Sequence, residues 1–245
     1  MKYIIDIDGT LLDGEKAIDG AVQFIEYLTS NKKQYLLMTN SIKSREVQFQ
    51  RLKNAGFSVA KESILNPIVV INQYIKAKKI ANVKIIGSSA EIAQVNAKNV
   101  SADYELVILL DFEKINAGYS VIQGLVNDIE NGTEIITASL SLFYLKGGKK
   151  AVDTGSFVKL LEEITNVRIK NFGKPSIEYF RAAENILKTR NEDIFVIGDD
   201  WRTDIVGANE YGAKGILVKT GKYTKNDEQN CTPYKIIDNL CELVL

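Results

Sequence analysis

Asp6 and Asp8 stand two residues apart, just beyond the apolar run Tyr3-Ile4-Ile5 and just before Gly9-Thr10. Residues two apart on an extended backbone point to the same side, and an adjacent glycine lets the chain turn sharply and approach a ligand. Such a carboxylate pair can attack an electrophile, carry a proton or help to hold a cation. An acidic turn after a strand is the plainer alternative, because Asp and Gly are both common turn formers. Other polar groups stand in comparable places. Thr39-Asn40 follow Tyr35-Leu36-Leu37-Met38; Asp199-Asp200 and then Asp204 follow Ile194-Phe195-Val196-Ile197-Gly198; Lys174 precedes Pro175-Ser176. Each has an ordinary reading too: a lone lysine is usually solvated, Asp200 a turn residue and Asp204 a helix cap.

The elements around these groups decide whether they converge. The uninterrupted apolar runs read as buried parallel strands. Between them, Asp19 is an N-cap for a helix carrying Val22, Ile25 and Leu28. Ser44 caps a helix to about Ala55, with Val47 and Leu52 inward and Gly56 as its stop, and Asn66-Pro67 open a helix to about Lys78. Pro175 suits the first turn of another, whose Ile177, Phe180 and Ala183 or Ala182 face the core. Strand-helix alternation implies a doubly wound α/β fold on a parallel sheet, and such sheets bind ligands beyond the carboxyl ends of their strands. The middle of the chain repeats the alternation. Strands are expected at Val83–Ile86, Leu106–Leu110 and Glu134–Thr137, and helices near Glu91–Lys98, Gly118–Ile129 and Ser156–Glu163, with no comparable polar strand ends. Residues 81–168 therefore read as a second α/β domain inserted into a core made of 1–80 and 169–245.

Composition narrows the chemistry. Among 245 residues, Lys plus Arg and Asp plus Glu number 31 each, so zero net charge gives no sign of a nucleic-acid or anionic-membrane partner. Cys231 and Cys241 fit neither a redox pair nor a zinc set. After Met1-Lys2 only three apolar residues precede Asp6, far short of a signal-peptide core or a membrane span, and the expected setting is the cytoplasm. There is no histidine. That removes Ser-His-Asp and Cys-His schemes and every histidine-ligated metal, and leaves carboxylates, lysine, hydroxyls and a hard cation.

In order along the chain, Asp6-Ile7-Asp8-Gly9-Thr10, Thr39-Asn40, Gly173-Lys174-Pro175 and Gly198-Asp199-Asp200 through Asp204 resemble the four motifs of the haloacid dehalogenase (HAD) superfamily phosphatases. The insertion between the second and third resembles the α/β cap of the subclass IIA type, which includes 4-nitrophenyl phosphatases and ribonucleotide monophosphatases. Leu217 to Tyr223 and Asp227-Glu228 are most similar to the phospholysine phosphohistidine inorganic pyrophosphate phosphatase group and the related haloacid dehalogenase-like hydrolase domain-containing proteins. Where many members carry Asn or His after the strand ending near Thr137, this chain has Ala138-Ser139-Leu140-Ser141-Leu142.

The resemblance implies a Rossmann-like core with a specificity cap and a phosphatase acting on a small phosphorylated metabolite, active on 4-nitrophenyl phosphate. A dianionic phosphate beside several carboxylates needs compensating positive charge. Oxygen ligation by few carboxylates suits Mg2+, held by Asp6, Asp8 (through its backbone carbonyl in the family) and Asp199. Thr39, Asn40 and Lys174 would bind the phosphoryl oxygens. Asp6 would be the nucleophile that forms an aspartyl-phosphate, and Asp8 would protonate the leaving group and then activate water. Asp200 and Asp204 would orient Lys174 or metal-bound water. A phosphomutase or phosphotransferase of the same superfamily is the enzymatic alternative, and a catalytically silent phosphate-binding protein the other. Neither nucleic acid nor membrane is expected as a partner, and a homo-oligomer is left open.

Overall fold

The computed structural model describes residues 1–113 and 118–244. They divide into two compact units: Met1–Thr39, Lys43–Asn66 and Lys174–Leu245 form the first, Asn40–Ile42 and Pro67–Gly173 the second. The boundaries fall at Pro67 and Gly173 rather than at 81 and 168, so the helix Pro67–Lys78 goes with the second unit.

A six-stranded sheet builds the first unit. Its spatial order is Lys235–Ile237, Lys214–Val218, Ile194–Gly198, Lys2–Ile5, Tyr35–Met38 and Ile64–Leu65, and every pairing is parallel. The continuous apolar runs account for this, since both faces of such a strand are covered; Ile4, Ile5, Leu37, Ile194 and Ile197 are fully buried. The chain first builds outward from Lys2–Ile5 through Tyr35–Met38, then returns to lay Ile194–Gly198 on the other side. That reversal is a topological switch point, where open sheets of this kind bind their ligands. Register does the rest. Ile5 pairs with Leu37 on one side and Ile197 on the other, and Asp6 N donates to Ile197 O at 2.9 Å. Asp6, Thr39 and Asp199 therefore leave three neighbouring parallel strands at the same edge.

The helices hold the sheet and show where apolar periodicity misleads. Ala21–Ser30 buries Phe24, Ile25 and Leu28 but starts from Gly20 in a left-handed conformation (φ +81°), not from an Asp19 side-chain cap. Ser44 does cap Arg45–Asn54, its Oγ accepting from Val47 N at 3.3 Å. That helix inverts the expected pattern, however, because Val47 is 46 % exposed whereas the polar Gln48 and Arg51 are buried beside Leu52. Arg51 finds polar partners inward, in Asp8, Gly14, Glu15 and Gln48. Ile177–Leu187 buries Tyr179, Phe180, Ala182 and Ala183 and leaves Ile177 exposed, with Pro175 two residues ahead of the helix.

The second unit has a five-stranded parallel sheet ordered Lys170–Asn171, Glu134–Thr137, Leu106–Leu109, Asn82–Ile86 and Lys98–Asn99, and an antiparallel hairpin, Phe143–Lys146 with Lys149–Val152. Helices Tyr119–Glu130 and Thr154–Thr165 bury Leu125, Val126, Val158 and Leu161 against Val107 and Leu109. The helix expected over Glu91–Lys98 is only Ser89–Ile92. Lys98 N and Val100 N donate instead to Ala81 O and Val83 O, so edge pairing takes the segment into the sheet. Among the described residues no helix is long and apolar enough to cross a membrane.

Candidate active site

Asp6, Asp199 and Asp204 converge at the edge of the first sheet, each offering a carboxylate oxygen, all within 4.8 Å of one another. All three are buried. Asp204 is neither a surface cap nor remote: it lies in the π-helical turn Trp201–Ile205 that follows Gly198, and its Oδ2 accepts from Asp200 N at 3.2 Å. Lys174 is 3 % exposed, so it is no solvated surface lysine. Its ammonium hydrogen-bonds Asp6 Oδ1 and lies 2.7 Å from Asp204 Oδ1. This second contact is an ion pair without good hydrogen-bond geometry, and Asp204 Oδ1 lacks a hydrogen-bond partner.

The loop residues fix the acids. Thr10 Oγ1 donates to Asp199 Oδ1 at 3.1 Å, and Lys222 N donates to its Oδ2 at 2.7 Å. Thr220 Oγ1 ties the same loop to Gly9 O at 2.6 Å. Gly9 has φ +99°, and a Cβ there would lie 2.3 Å from Asp199 Oδ2, while one on Gly221 would lie 2.1 Å from that oxygen. Only glycine permits this approach of backbone to carboxylate. Asp200 accepts from Lys222 Nζ at 3.1 Å and from Arg202 N at 3.1 Å.

The electrostatics show an excess of negative charge. Burial, reinforced by Asp6 and Asp204, pushes the Asp199 carboxyl well above the carboxylate range. Burial raises Asp204 to about 7 against the opposing pull of Lys174, and raises Asp6 against the same pull. Burial pulls the Lys174 ammonium down, but Asp204 and Asp6 outweigh it and hold it above its ordinary value. Among the described residues three buried acids meet one lysine, a donor set short of positive charge. Hard all-oxygen donors of this kind suit Mg2+.

Two families of sequences match this chain, and their matched segments meet the site. A haloacid dehalogenase-like hydrolase model matches residues 3–101 and a HAD-hydrolase-like model matches 171–243, the two stretches that supply the acids and Lys174. The chain belongs to the haloacid dehalogenase-like hydrolases. Among its relatives, haloacid dehalogenase-like hydrolase domain-containing protein 2 of Mus musculus is 28 % identical over 233 residues, covering 94 % of this chain and 88 % of that one. The phospholysine phosphohistidine inorganic pyrophosphate phosphatase of Homo sapiens is 26 % identical over 256 residues, covering 98 % and 92 %. The fold is shared with a p-nitrophenyl phosphatase from Archaeoglobus fulgidus, with a TM-score of 0.90 at 23 % identity over 99 % of this chain and 97 % of that one. It is also shared with NagD from E. coli K-12, with a TM-score of 0.87 at 22 % identity over 100 % and 98 %.

In this hydrolase the second carboxylate of the pair is held apart from the buried three. The Asp8 side chain is 44 % exposed; its Oδ1 accepts from Arg51 at 2.8 Å and its Oδ2 from Thr39 Oγ1 at 3.3 Å. Thr39 is itself buried at the strand end, where its backbone carbonyl accepts from the fully buried Tyr179 hydroxyl at 2.7 Å. Asn40 begins the segment that packs with the second unit, its side-chain oxygen 2.8 Å from where a Cβ on Gly173 would stand. Sequence reasoning missed Arg51, Tyr179 and Lys222 as neighbours of the site. Lys222 lies in a segment singled out only for its likeness to relatives, and Arg51 reaches Asp8 across 43 positions of sequence.

Proposed function

We propose that this hydrolase is a Mg2+-dependent phosphatase of small phosphorylated metabolites. The observation that carries the reading is the buried cluster of Asp6, Asp199 and Asp204, with Lys174 paired to Asp6 and Asp204. Asp6, Asp199 and the backbone carbonyl of Asp8 are the assigned Mg2+ ligands, with the Asp204 carboxylate beside them. When bound, the ion would neutralise the acids and the transferring phosphoryl group, lowering the cost of bringing a dianion into a carboxylate cage. Lys174, the Thr39 hydroxyl and Asn40 would receive the phosphoryl oxygens. Relatives named as phosphatases support this assignment.

The reaction divides between the two carboxylates. Lys174 occupies Oδ1 of Asp6, leaving Oδ2 to attack phosphorus; the ester P–O bond breaks and an aspartyl-phosphate forms on Asp6. Asp8 gives its proton to the departing oxygen. It then takes a proton from the water that attacks the aspartyl-phosphate, releasing inorganic phosphate and restoring Asp6. Asp204 holds Lys174, and Asp200 holds Lys222, whose backbone N–H in turn holds Asp199. Substrate choice is assigned to the inserted domain, expected at 81–168, because the reactive carboxylates and Lys174 all lie in the first unit. The test is hydrolysis of 4-nitrophenyl phosphate with Mg2+, in chelator, and with Mg2+ restored. Activity present with Mg2+, abolished by chelation and recovered on restoration is expected; full activity in chelator would overturn the metal assignment.

A further inference from the structure

Arg51 is a buried cation to which the reaction above gives no part, yet each of its nitrogens is engaged. Nε donates to Glu15 Oε1 at 3.1 Å, and NH1 to Gln48 Oε1 at 2.7 Å. NH2 donates to both Gly14 O and Asp8 Oδ1, each at 2.8 Å. We propose that Arg51 is a positioning residue for Asp8, clamping Oδ1 so that Oδ2 is the oxygen that exchanges the proton with the leaving group. The inference rests on the reading of Asp8 as acid and base.

Three observations support the clamp. First, Asp8 is the least buried of the site carboxylates tied to a cation here, and a half-exposed side chain at the start of a turn needs an external anchor to keep one rotamer. The planar guanidinium supplies several donors in fixed directions, which a lysine would not. Second, the guanidinium cannot follow Asp8. It is pinned by Gln48 on its own helix and by Gly14 and Glu15 on the loop after Asp8, so the carboxylate must orient to it. Third, Gln48 is fully buried and turns its carbonyl oxygen to Arg51, while its Nε2 has no hydrogen-bond partner. A buried amide with an unmet N–H is costly, and an apolar residue would avoid that cost. Its presence makes sense if the direction of Arg51 matters more than local stability.

In the first half-reaction the proton leaves Asp8 Oδ2 for the ester oxygen as the P–O bond breaks, and that oxygen keeps the bonding electron pair. In the second half a proton from water returns to Oδ2. Thr39 Oγ1, at 3.3 Å from Oδ2, is a long contact that can yield to the leaving group.

The test is a rapid-quench measurement of first-turnover rates in Mg2+ with an aryl and an alkyl phosphate monoester, on Arg51→Met, Arg51→Lys and Asp8→Asn. A phenolate departs with little protonation and an alkoxide does not. Arg51→Met is expected to lose about tenfold more on the alkyl than on the aryl ester, part of the range of a misplaced general acid. Inhibition by inorganic phosphate should stay unchanged, because Arg51 touches no group assigned to phosphate except through Asp8. Arg51→Lys should show a smaller loss with the same preference, and it carries the test if Arg51→Met does not fold. Equal losses on both esters, or none, while Asp8→Asn still discriminates between them, would overturn the clamp alone. Failure of Asp8→Asn to discriminate would overturn the underlying reading of Asp8.

Discussion

Replacing Lys174 with Met removes the ammonium that pairs with Asp6 and Asp204 in the buried acid cluster while keeping much of its length and volume. Lys174 Nζ lies 2.7 Å from Asp204 Oδ1. At an effective dielectric constant of about 20, each such contact represents an attraction of about 6 kcal/mol, set against the cost of desolvating the charges. Breaking a buried pair by deleting one partner leaves uncompensated buried charge and typically costs about 3–5 kcal/mol. Asp6 and Asp204 can escape part of this by binding protons, so the loss should be larger at pH 8 than at pH 5.5. For a chain of this size about 3–5 kcal/mol corresponds to a fall in Tm of roughly 6–20 °C. Thermal and urea unfolding in chelator at both pH values measure it, and the variant should also lose about 10²–10³-fold or more in kcat. A loss below about 1 kcal/mol at pH 8, the level of an exposed pair, would refute the reasoning, as would a larger loss at pH 5.5.

Three further outcomes follow from the same geometry. The folded Asp204 carboxyl titrates at about 7 against an ordinary 3.8, so between these values the native state holds a proton that the unfolded chain has released; stability in chelator should therefore fall as pH rises from about 4 to about 7 and level off above. Saturating Mg2+ should flatten that profile, and stability that climbs over the same window without metal would contradict the charge assignment. Gly9→Ala places a Cβ 2.3 Å from Asp199 Oδ2 at φ +99° and should cost about 1–3 kcal/mol and weaken Mg2+ binding; calorimetric titration and melting curves equal to those of the parent would count against it. Tyr179→Phe removes the hydroxyl that donates to Thr39 O and Leu65 O at 2.7 and 2.8 Å. It should cost about 1–2 kcal/mol in urea unfolding, and an unchanged midpoint would show that neither carbonyl depends on it.

The strands were the most legible part of the chain. Tyr3-Ile4-Ile5, Tyr35 to Met38 and Ile194 to Ile197 are apolar on both faces, as a central parallel strand must be, and the polar residue ending each run marks a sheet edge. That is why Asp6, Thr39 and Asp199 could be placed together before any geometry was known. The helix Arg45–Asn54 was misread because its buried face is polar: Gln48 and Arg51 point inward and Val47 outward. Periodicity reports burial only when the buried face is apolar, and here the inward Arg51 instead meets polar partners in Asp8, Gln48 and Gly14. Asp19 failed as a cap for a local reason, since Gly20 in its left-handed turn already starts the helix. Asp204 was legible as an acid near the site, but its convergence with Asp6 depends on the π-helical turn, which no spacing in Gly198 to Asp204 announces.

The central claim is that Asp6 carries the phosphoryl group. The direct measurement is an acid quench of the Asp8→Asn protein within its first turnover of a phosphate monoester in Mg2+, followed by mass spectrometry of the peptide containing residues 1–16. Asp8→Asn should slow breakdown of the aspartyl-phosphate and let it accumulate. The account predicts added phosphoryl mass on Asp6, labile to hydroxylamine, and none when Asp6→Asn is combined with it. Phosphoryl mass on another residue, or on the peptide when Asp6 is Asn, would contradict it.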